Sequence, residues 1–181
     1  WLIFFLYIEH VGERALAISN IARSSSGIIW VVLQAFSSPC STLVSNIIGE
    51  GHQDKVMSLV KRILKISYGV VSLMILLFCL FPQAVARIYT DIPDIITASV
   101  PTMFIMSTSY LLHVGAQVFF LAISGTGSTK IAFRLEMASL AVYMTYCTVV
   151  IGWLKPDVAV CWTAEYVYGG VLLMFSWWYL R

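Results

Sequence analysis

Long apolar stretches dominate this chain, and six of them cover most of its 181 residues. About 20 consecutive apolar residues suffice for a helix to cross the hydrocarbon core of a bilayer. The chain is 60% hydrophobic and only 11% charged, whereas soluble domains average about 45–50% apolar and about 25% charged residues. Backbone polar groups in lipid must be satisfied internally, and the stretches lack the short alternating pattern of a barrel. The sequence therefore predicts an all-α, polytopic membrane helix bundle.

The apolar stretches predict approximate spans at 1–11 (partial), 15–48, 66–82, 98–124, 131–154 and 158–180, within one transmembrane lobe at 1–181. The first is too short to cross a membrane, so we expect a helix that is cut short and a chain that is a fragment. The second is roughly 50 Å long at 1.5 Å per residue, so one end must project beyond the bilayer. Pro39 is expected to kink it. The stretch QAVARIYTDIPDII predicts a polar linker with a short interfacial helix, and Lys155-Pro156-Asp157 predicts a turn.

The basic residues favour one orientation in the membrane. If the loop at 49–65 is cytoplasmic, alternation of sides places 125–134 there too, with seven basic residues: Lys55, Lys61, Arg62, Lys65, Lys130, Arg134 and Arg181. The other side holds three: Arg14, Arg87 and Lys155. This distribution agrees with the positive-inside rule. Glu136, close to two of these basic residues, is expected at the interface.

Three of the apolar stretches carry an ionisable side chain deep inside, namely Arg23, His113 and Glu165. Insertion of a central Arg costs about +2.5 to +3.5 kcal/mol. Membrane proteins therefore keep such groups mainly where they face the bundle interior or a wet path. The three side chains indicate an internal polar route, and transport is the first functional hypothesis.

Small and polar residues recur along the second stretch at spacings of mostly three to four positions: Asn20, Ser24, Gly27, Gln34, Ser38, Ser41 and Ser45. This spacing predicts a polar stripe along one side of a helix. The stripe can serve close helix packing with hydrogen bonds between helices, or it can line a substrate cavity, and both can hold together. Arg23 favours the cavity, because packing alone rarely requires a guanidinium.

Glu165 is the eighth residue of the last stretch, about 12 Å from its start at 1.5 Å per residue. Its short side chain cannot snorkel from that depth, and its charged form is disfavoured there. It is either a carboxylate that binds a coupling ion, proton or cation, or a structural partner of Arg23 or of a hydroxyl. His113, with Gln117 one turn further on, is either a satisfied hydrogen-bond partner or a protonation switch.

Motifs of soluble enzymes do not fit this chain. The loop GTGSTK lacks the spacing of a phosphate-binding loop and joins two membrane helices, so it predicts a turn. The HExxH zinc motif and the nucleophile elbow do not occur. We therefore expect no enzymatic activity, no cofactor and no metal site, apart from a coupling Na⁺ or H⁺. The expected partners are the lipid bilayer and a small molecule, and the net charge of +2 gives no indication of nucleic-acid binding.

Three stretches, FFLYIEHVGERALAISNI, SSPCSTLVSNIIGEG and FLAISGTGSTK, together resemble the second half of the MATE family of multidrug and toxic-compound extrusion transporters. The middle stretch carries the resemblance best, with a Ser/Thr-rich helix end and the Gly49-x-Gly51 loop before a basic amphipathic segment. The GTGST loop matches a second family landmark. The resemblance covers essentially the whole chain, from late in the seventh helix through the twelfth, and it rests on the order and spacing of these motifs.

The resemblance implies one six-helix lobe of a twelve-helix transporter, its first helix truncated, which works by alternating access against an N-terminal lobe of the same protein. It implies secondary active efflux of organic cations or drugs in exchange for H⁺ or Na⁺, in the plasma membrane or the bacterial inner membrane. Many prokaryotic members have an Asp in the tenth helix about a dozen residues before the loop Gly. His113 occupies that position here, so the usual carboxylate is absent and Glu165 becomes the acid of interest. The predicted substrate and ion pathway comprises Asn20, Arg23, Gln34, His113, Gln117 and Glu165.

Two alternatives remain open. A lipid-linked oligosaccharide flippase of related architecture requires a more basic cavity to hold a pyrophosphate, whereas one buried Arg and one buried Glu suit a nearly neutral cavity. A membrane subunit without transport activity predicts that Arg23 and Glu165 pair with each other and that no continuous polar cavity exists.

Overall fold

The structure, a computed structural model, describes residues 2–154 and 156–181. Every regular element in this part of the chain is helical. The predicted all-α membrane bundle is therefore confirmed. Trp1, in the predicted partial helix, and Lys155, in the predicted turn, lie outside the described residues.

Nine α-helices follow one another along the chain, with a short 3₁₀ helix and a π-helical segment between them. They are α1 (Leu2–Val11), α2 (Glu13–Ser37), α3 (Pro39–Gly49), the 3₁₀ helix Gln53–Lys55, α4 (Val56–Leu80), α5 (Pro82–Ala86), α6 (Pro93–Gly125), α7 (Thr129–Tyr146), the π segment Cys147–Leu154, α8 (Val158–Cys161) and α9 (Ala164–Leu180), counted over the ranges given above.

Five helical stretches of the described residues are long and apolar enough to cross a membrane: Glu13–Gly49, Gln53–Leu80, Pro93–Gly125, Thr129–Leu154 and Val158–Leu180. Many of their large apolar side chains are exposed, among them Leu73, Leu76 and Leu77 of α4. Such a surface suits lipid, because apolar residues facing acyl chains need no burial in protein. The chain is an integral, multi-pass membrane protein.

The predicted second span is a helix interrupted near its end. Helix α2 stops at Ser37, Ser38 forms a turn, and Pro39 begins α3. Proline lacks the backbone N–H that would continue the helix, which accounts for the interruption at this point. The expected kink at Pro39 therefore falls where the helix changes from α2 to α3.

The start of helix α4 differs from the predicted span, whereas the linker after α4 agrees with the prediction. Helix α4 begins at Val56 and not at residue 66, because the basic amphipathic segment before the apolar run is already helical. The linker that follows contains the short helix α5 (Pro82–Ala86), as the sequence predicts, and then non-helical chain up to Pro93.

Helix α6 lies at the centre of the bundle and packs against α2, α3, α4, α5, α7, α8 and α9. Glycine permits its closest approaches. A Cβ on Gly125 would lie 2.5 Å from the carbonyl oxygen of Ser41 in α3. One on Gly115 would lie 2.8 Å from a methyl group of Leu173 in α9. Small residues at such crossings let membrane helices pack backbone to backbone.

Candidate functional site

A cavity of about 420 Å³ opens between α2, α6, α7 and α9. This volume falls in the range of about 300–1,000 Å³ that is usual for small-molecule sites. Its lining combines ionisable, amide and aromatic side chains: Arg23, Gly27, Trp30, Met106, Tyr110, His113, Gln117, Glu136, Leu140, Tyr143, Glu165 and Tyr168. Four of the predicted pathway residues thus line the same cavity, namely Arg23, His113, Gln117 and Glu165.

His113 and Glu165 form a buried pair in the wall of this cavity. The imidazole Nε2 lies 3.4 Å from Oε2 of the carboxylate, and the two side chains are 2% and 8% exposed. His113 belongs to α6 and Glu165 to the first turn of α9. Helix packing alone brings them together, because they lie on different membrane spans.

The second ring nitrogen of His113 determines where its proton lies. Nδ1 is 3.0 Å from the carbonyl oxygen of Ser109, one turn earlier in α6. A carbonyl only accepts hydrogen bonds, so Nδ1 must carry a proton and donate it. Nε2 then faces Glu165 with a lone pair, which repels a carboxylate oxygen. One further proton, either on Nε2 or on the carboxylate, turns this contact into a hydrogen bond. The contact between Nε2 and Oε2 is therefore attractive when the two groups share one proton.

Aromatic rings surround this pair. The His113 ring centroid lies 5.6 Å from that of Tyr110, 5.8 Å from that of Tyr168 and 6.2 Å from that of Trp30. Tyr143 completes the cluster, with its ring 5.9 Å from Tyr168. Aromatic faces attract cations, most strongly where water is excluded. The walls of the cavity can thus stabilise a positively charged, apolar molecule.

Arg23 is exposed, and not buried as the sequence predicts, and its contacts lie away from Glu165. Its guanidinium lies over the Phe5 ring, with Cζ 4.8 Å from the centroid, and its Nη2 is 3.5 Å from Oδ1 of Asn20. No ion pair joins Arg23 to Glu165 among the residues that the structure describes. The contacts predicted for a subunit without transport activity, an Arg23–Glu165 pair and no polar cavity, are therefore not those observed.

Two predicted pathway residues do not line the cavity. Asn20 contacts Arg23 at its edge, and Gln34 is half-buried further along α2. The polar stripe also differs from expectation, since the fully buried serines of α2 lie beside it: Ser19, Ser25, Ser26 and Ser37. Three of the four, Ser25, Ser26 and Ser37, donate to carbonyl groups of their own helix. A hydroxyl can satisfy itself in this way, so hydroxyl spacing alone does not identify a helix face that binds ligand.

Glu136 is a cavity residue that the sequence did not single out. The sequence predicts it at the membrane interface beside Lys130 and Arg134, and the structure adds that it is half-buried and lines the cavity. Its Oε1 accepts a hydrogen bond of 2.7 Å from the hydroxyl of Tyr168. The two basic neighbours point elsewhere and are exposed. Sequence proximity to basic residues obscured the fact that Glu136 occupies a different side of α7.

The last membrane span is broken next to Glu165. Helix α8 ends at Cys161, Trp162 and Thr163 form a turn, and α9 begins at Ala164. Glu165 thus occupies the first turn of α9. Backbone hydrogen bonds of the 3₁₀ type continue through the turn, among them the bond from Glu165 N–H to the Trp162 carbonyl. The indole Nε1 of buried Trp162 donates to Oγ of Ser19, 3.0 Å away in α2, and holds the turn against the bundle. The segment carries no glycine or proline, so the sequence contained no ordinary signal of this break.

Comparison with known proteins agrees with this architecture. The family model described as MatE matches residues 2–150 of the chain. No curated protein and no solved structure shows a significant match.

Proposed function

The chain belongs to the MatE family of membrane transporters, and on that premise we propose that it exports organic cations in exchange for protons. Family membership supports only the general assignment as a membrane efflux transporter. The substrate class, the coupling ion and the residues responsible are the proposal, and the buried His113–Glu165 pair is the observation that supports it.

Charge balance links proton and substrate at this pair. With one proton between them, His113 and Glu165 together are neutral, and the low-dielectric cavity tolerates them. Loss of that proton leaves one uncompensated negative charge among aromatic rings. An organic cation restores neutrality by ion pairing with Glu165 and by cation–π contact with the rings. Proton and substrate therefore compete for one site, which is the requirement of an antiporter.

Other ionisable groups surround the pair and share in its electrostatics. They come from every helix that faces it: Arg23 of α2, Tyr110 of α6, Glu136 and Tyr143 of α7, Cys147 of the π segment and Tyr168 of α9. The Arg23 guanidinium is engaged with the Phe5 ring and with Asn20, so its charge lies at the edge of the cavity. A flippase for pyrophosphate-linked lipids fits this lining less well, because Arg23 is the only Lys or Arg among the cavity residues described.

Transport by the full-length protein in proteoliposomes tests the proposal. In one experiment the proton concentration is higher inside the vesicles than outside, and in a second experiment the Na⁺ concentration is. Movement of the monovalent dye ethidium is followed by fluorescence in each. We expect the pH gradient to drive transport, and Glu165→Gln to lower the rate about tenfold or more, in the range of a typical coupling energy.

Glu13→Gln is the matched control, because Glu13 is exposed at the start of α2. Normal pH-driven transport by Glu165→Gln would assign coupling to another residue. Transport driven by the Na⁺ gradient and not by the proton gradient would show that Na⁺ is the coupling ion. Transport of lipid-linked pyrophosphate alone would favour the flippase.

A further inference from the structure

The cavity contains a second carboxylate with no cationic partner. Glu136 accepts one hydrogen bond, from Tyr168. No Lys, Arg or His nitrogen lies within 4.0 Å of it among the described residues, whose ion pairs are Arg14–Asp94 and His113–Glu165. A carboxylate has about four acceptor positions on its two oxygens. The Tyr168 hydroxyl therefore leaves most of the accepting capacity of Glu136 directed toward the cavity.

An unpaired acid in a membrane helix requires an explanation. Such residues are costly in hydrocarbon and mark ion or substrate pathways by default. Glu136 cannot use Lys130 or Arg134, which are exposed away from the cavity. Arg23, also on the lining, is held by Phe5 and Asn20. A cation that enters the cavity is thus the remaining partner for Glu136.

Glu136 and Glu165 lie at different depths. The Tyr179 hydroxyl donates to the Ser128 hydroxyl at 3.4 Å, so the end of α9 and the start of α7 lie at the same end of the bundle. From that end, Glu136 is about 12 Å along α7 and Glu165 about 21 Å along α9, at 1.5 Å per residue. By this count Glu165 lies farther from that end than Glu136, by one to two helical turns of about 5.4 Å.

Tyr168 lies between the two acids. Its hydroxyl binds Glu136, and its ring centroid is 5.8 Å from that of His113, which in turn contacts Glu165. The ring face between the acids can contact an apolar linker or a cationic head group. An anionic position at each end and an aromatic surface between them match an elongated molecule that is charged at both ends.

We propose that the cavity recognises organic dications, with one cationic group at Glu165 and the second at Glu136. This inference rests on the proposed function, since it names a substrate class for the same cavity. Glu136 is the specificity-determining residue for the second charge. Tyr168 is a positioning residue, because its hydroxyl holds the Glu136 carboxylate toward the cavity until the dication binds.

Equilibrium binding separates this inference from the transport mechanism. Radiolabelled bis(trimethylammonium)hexane and its mono-quaternary analogue of equal chain length are bound to the purified full-length protein in nanodiscs. We expect the wild-type protein to bind the dication about tenfold more tightly or better, a preference of the size expected for a partly buried charge pair. Binding is measured without any gradient, so it remains informative even if no proton-coupled transport occurs.

Variants at Glu136 decide the assignment. Glu136→Gln is expected to abolish the preference, because it lowers affinity for the dication by a larger factor than affinity for the monocation. Glu136→Asp keeps the charge and retains a preference, and Tyr168→Phe reduces it without abolishing it. Glu13→Gln leaves both affinities unchanged. The proposal is wrong if the wild-type protein shows no preference, or if Glu136→Gln weakens binding of both ligands equally while the protein stays folded by thermal melting.

Discussion

The backbone of Gly169 in α9 lies directly against the imidazole of His113 in α6. A Cβ on Gly169 would be 3.0 Å from both Nδ1 and Cε1 of that ring and 3.3 Å from Cβ of Leu112. Contacts of this length are tighter than most contacts of real Cβ atoms, so the neighbouring ring would have to shift by a few tenths of an ångström. The absence of a side chain at residue 169 therefore lets His113 reach Glu165 and donate to Ser109 at the same time.

Substitution Gly169→Ala should consequently impair the site. The added methyl group displaces the His113 ring, at a cost of about 1–3 kcal/mol for overpacking, and proton-driven ethidium transport should fall about tenfold. Gly170→Ala is the matched control, because its Cβ would meet only a Leu112 methyl group at 3.8 Å. Equal transport rates for the two variants would show that the position of His113 is unimportant.

The two members of the buried pair should act as one unit. His113→Asn and Glu165→Gln each remove the shared proton, so each should abolish the response of transport to a pH gradient. The double variant should then be no worse than either single one, since coupled residues give non-additive effects. Transport rates of the four proteins at several external pH values provide the measurement. Effects that multiply in the double variant would mean that the residues act independently.

The crossing of α3 and α6 should depend on Gly125. A Cβ there would lie 2.5 Å from the Ser41 carbonyl oxygen and 2.9 Å from Cβ of Val44. Ser45 also donates to the Gly125 carbonyl at 2.8 Å. We expect Gly125→Ala to destabilise the protein by about 1–3 kcal/mol, seen as a lower melting temperature. Gly69→Ala in α4 has open space around it and should have little effect. A melting temperature of Gly125→Ala at or above that of wild type would show that α3 and α6 do not need a glycine at this crossing.

The orientation predicted from the basic residues can be tested in intact cells. Single cysteines at Gln53 and Asp91, both exposed in the structure, are treated from outside with a membrane-impermeant maleimide. The positive-inside rule predicts labelling at residue 91 and protection at residue 53. The wild-type chain, with its four native cysteines, supplies the background. Labelling at residue 53 alone would show that the chain has the opposite orientation in the membrane.

Local sequence was sufficient to recognise the helices and several residues that line the cavity. A membrane helix depends on apolar residues summed over one short segment, so its existence can be predicted without knowledge of its neighbours. For the same reason, Arg23, His113 and Glu165 could be recognised as unusual, because each is an ionisable group surrounded by apolar sequence. Start positions were less predictable, as α4 shows, because a basic amphipathic segment can be helical outside the hydrocarbon.

Only the tertiary structure decided which of these groups meet. His113, and not Arg23, is the partner of Glu165, and Glu136 faces the same cavity across Tyr168. These contacts depend on how each helix is rotated about its axis, and interhelical packing determines that rotation. The break at Trp162 also escaped prediction, because a buried hydrogen bond to Ser19 stabilises it and no local residue signals it. Apolar content along one segment therefore determined that the chain spans the membrane, whereas contacts between distant segments determined its polar site.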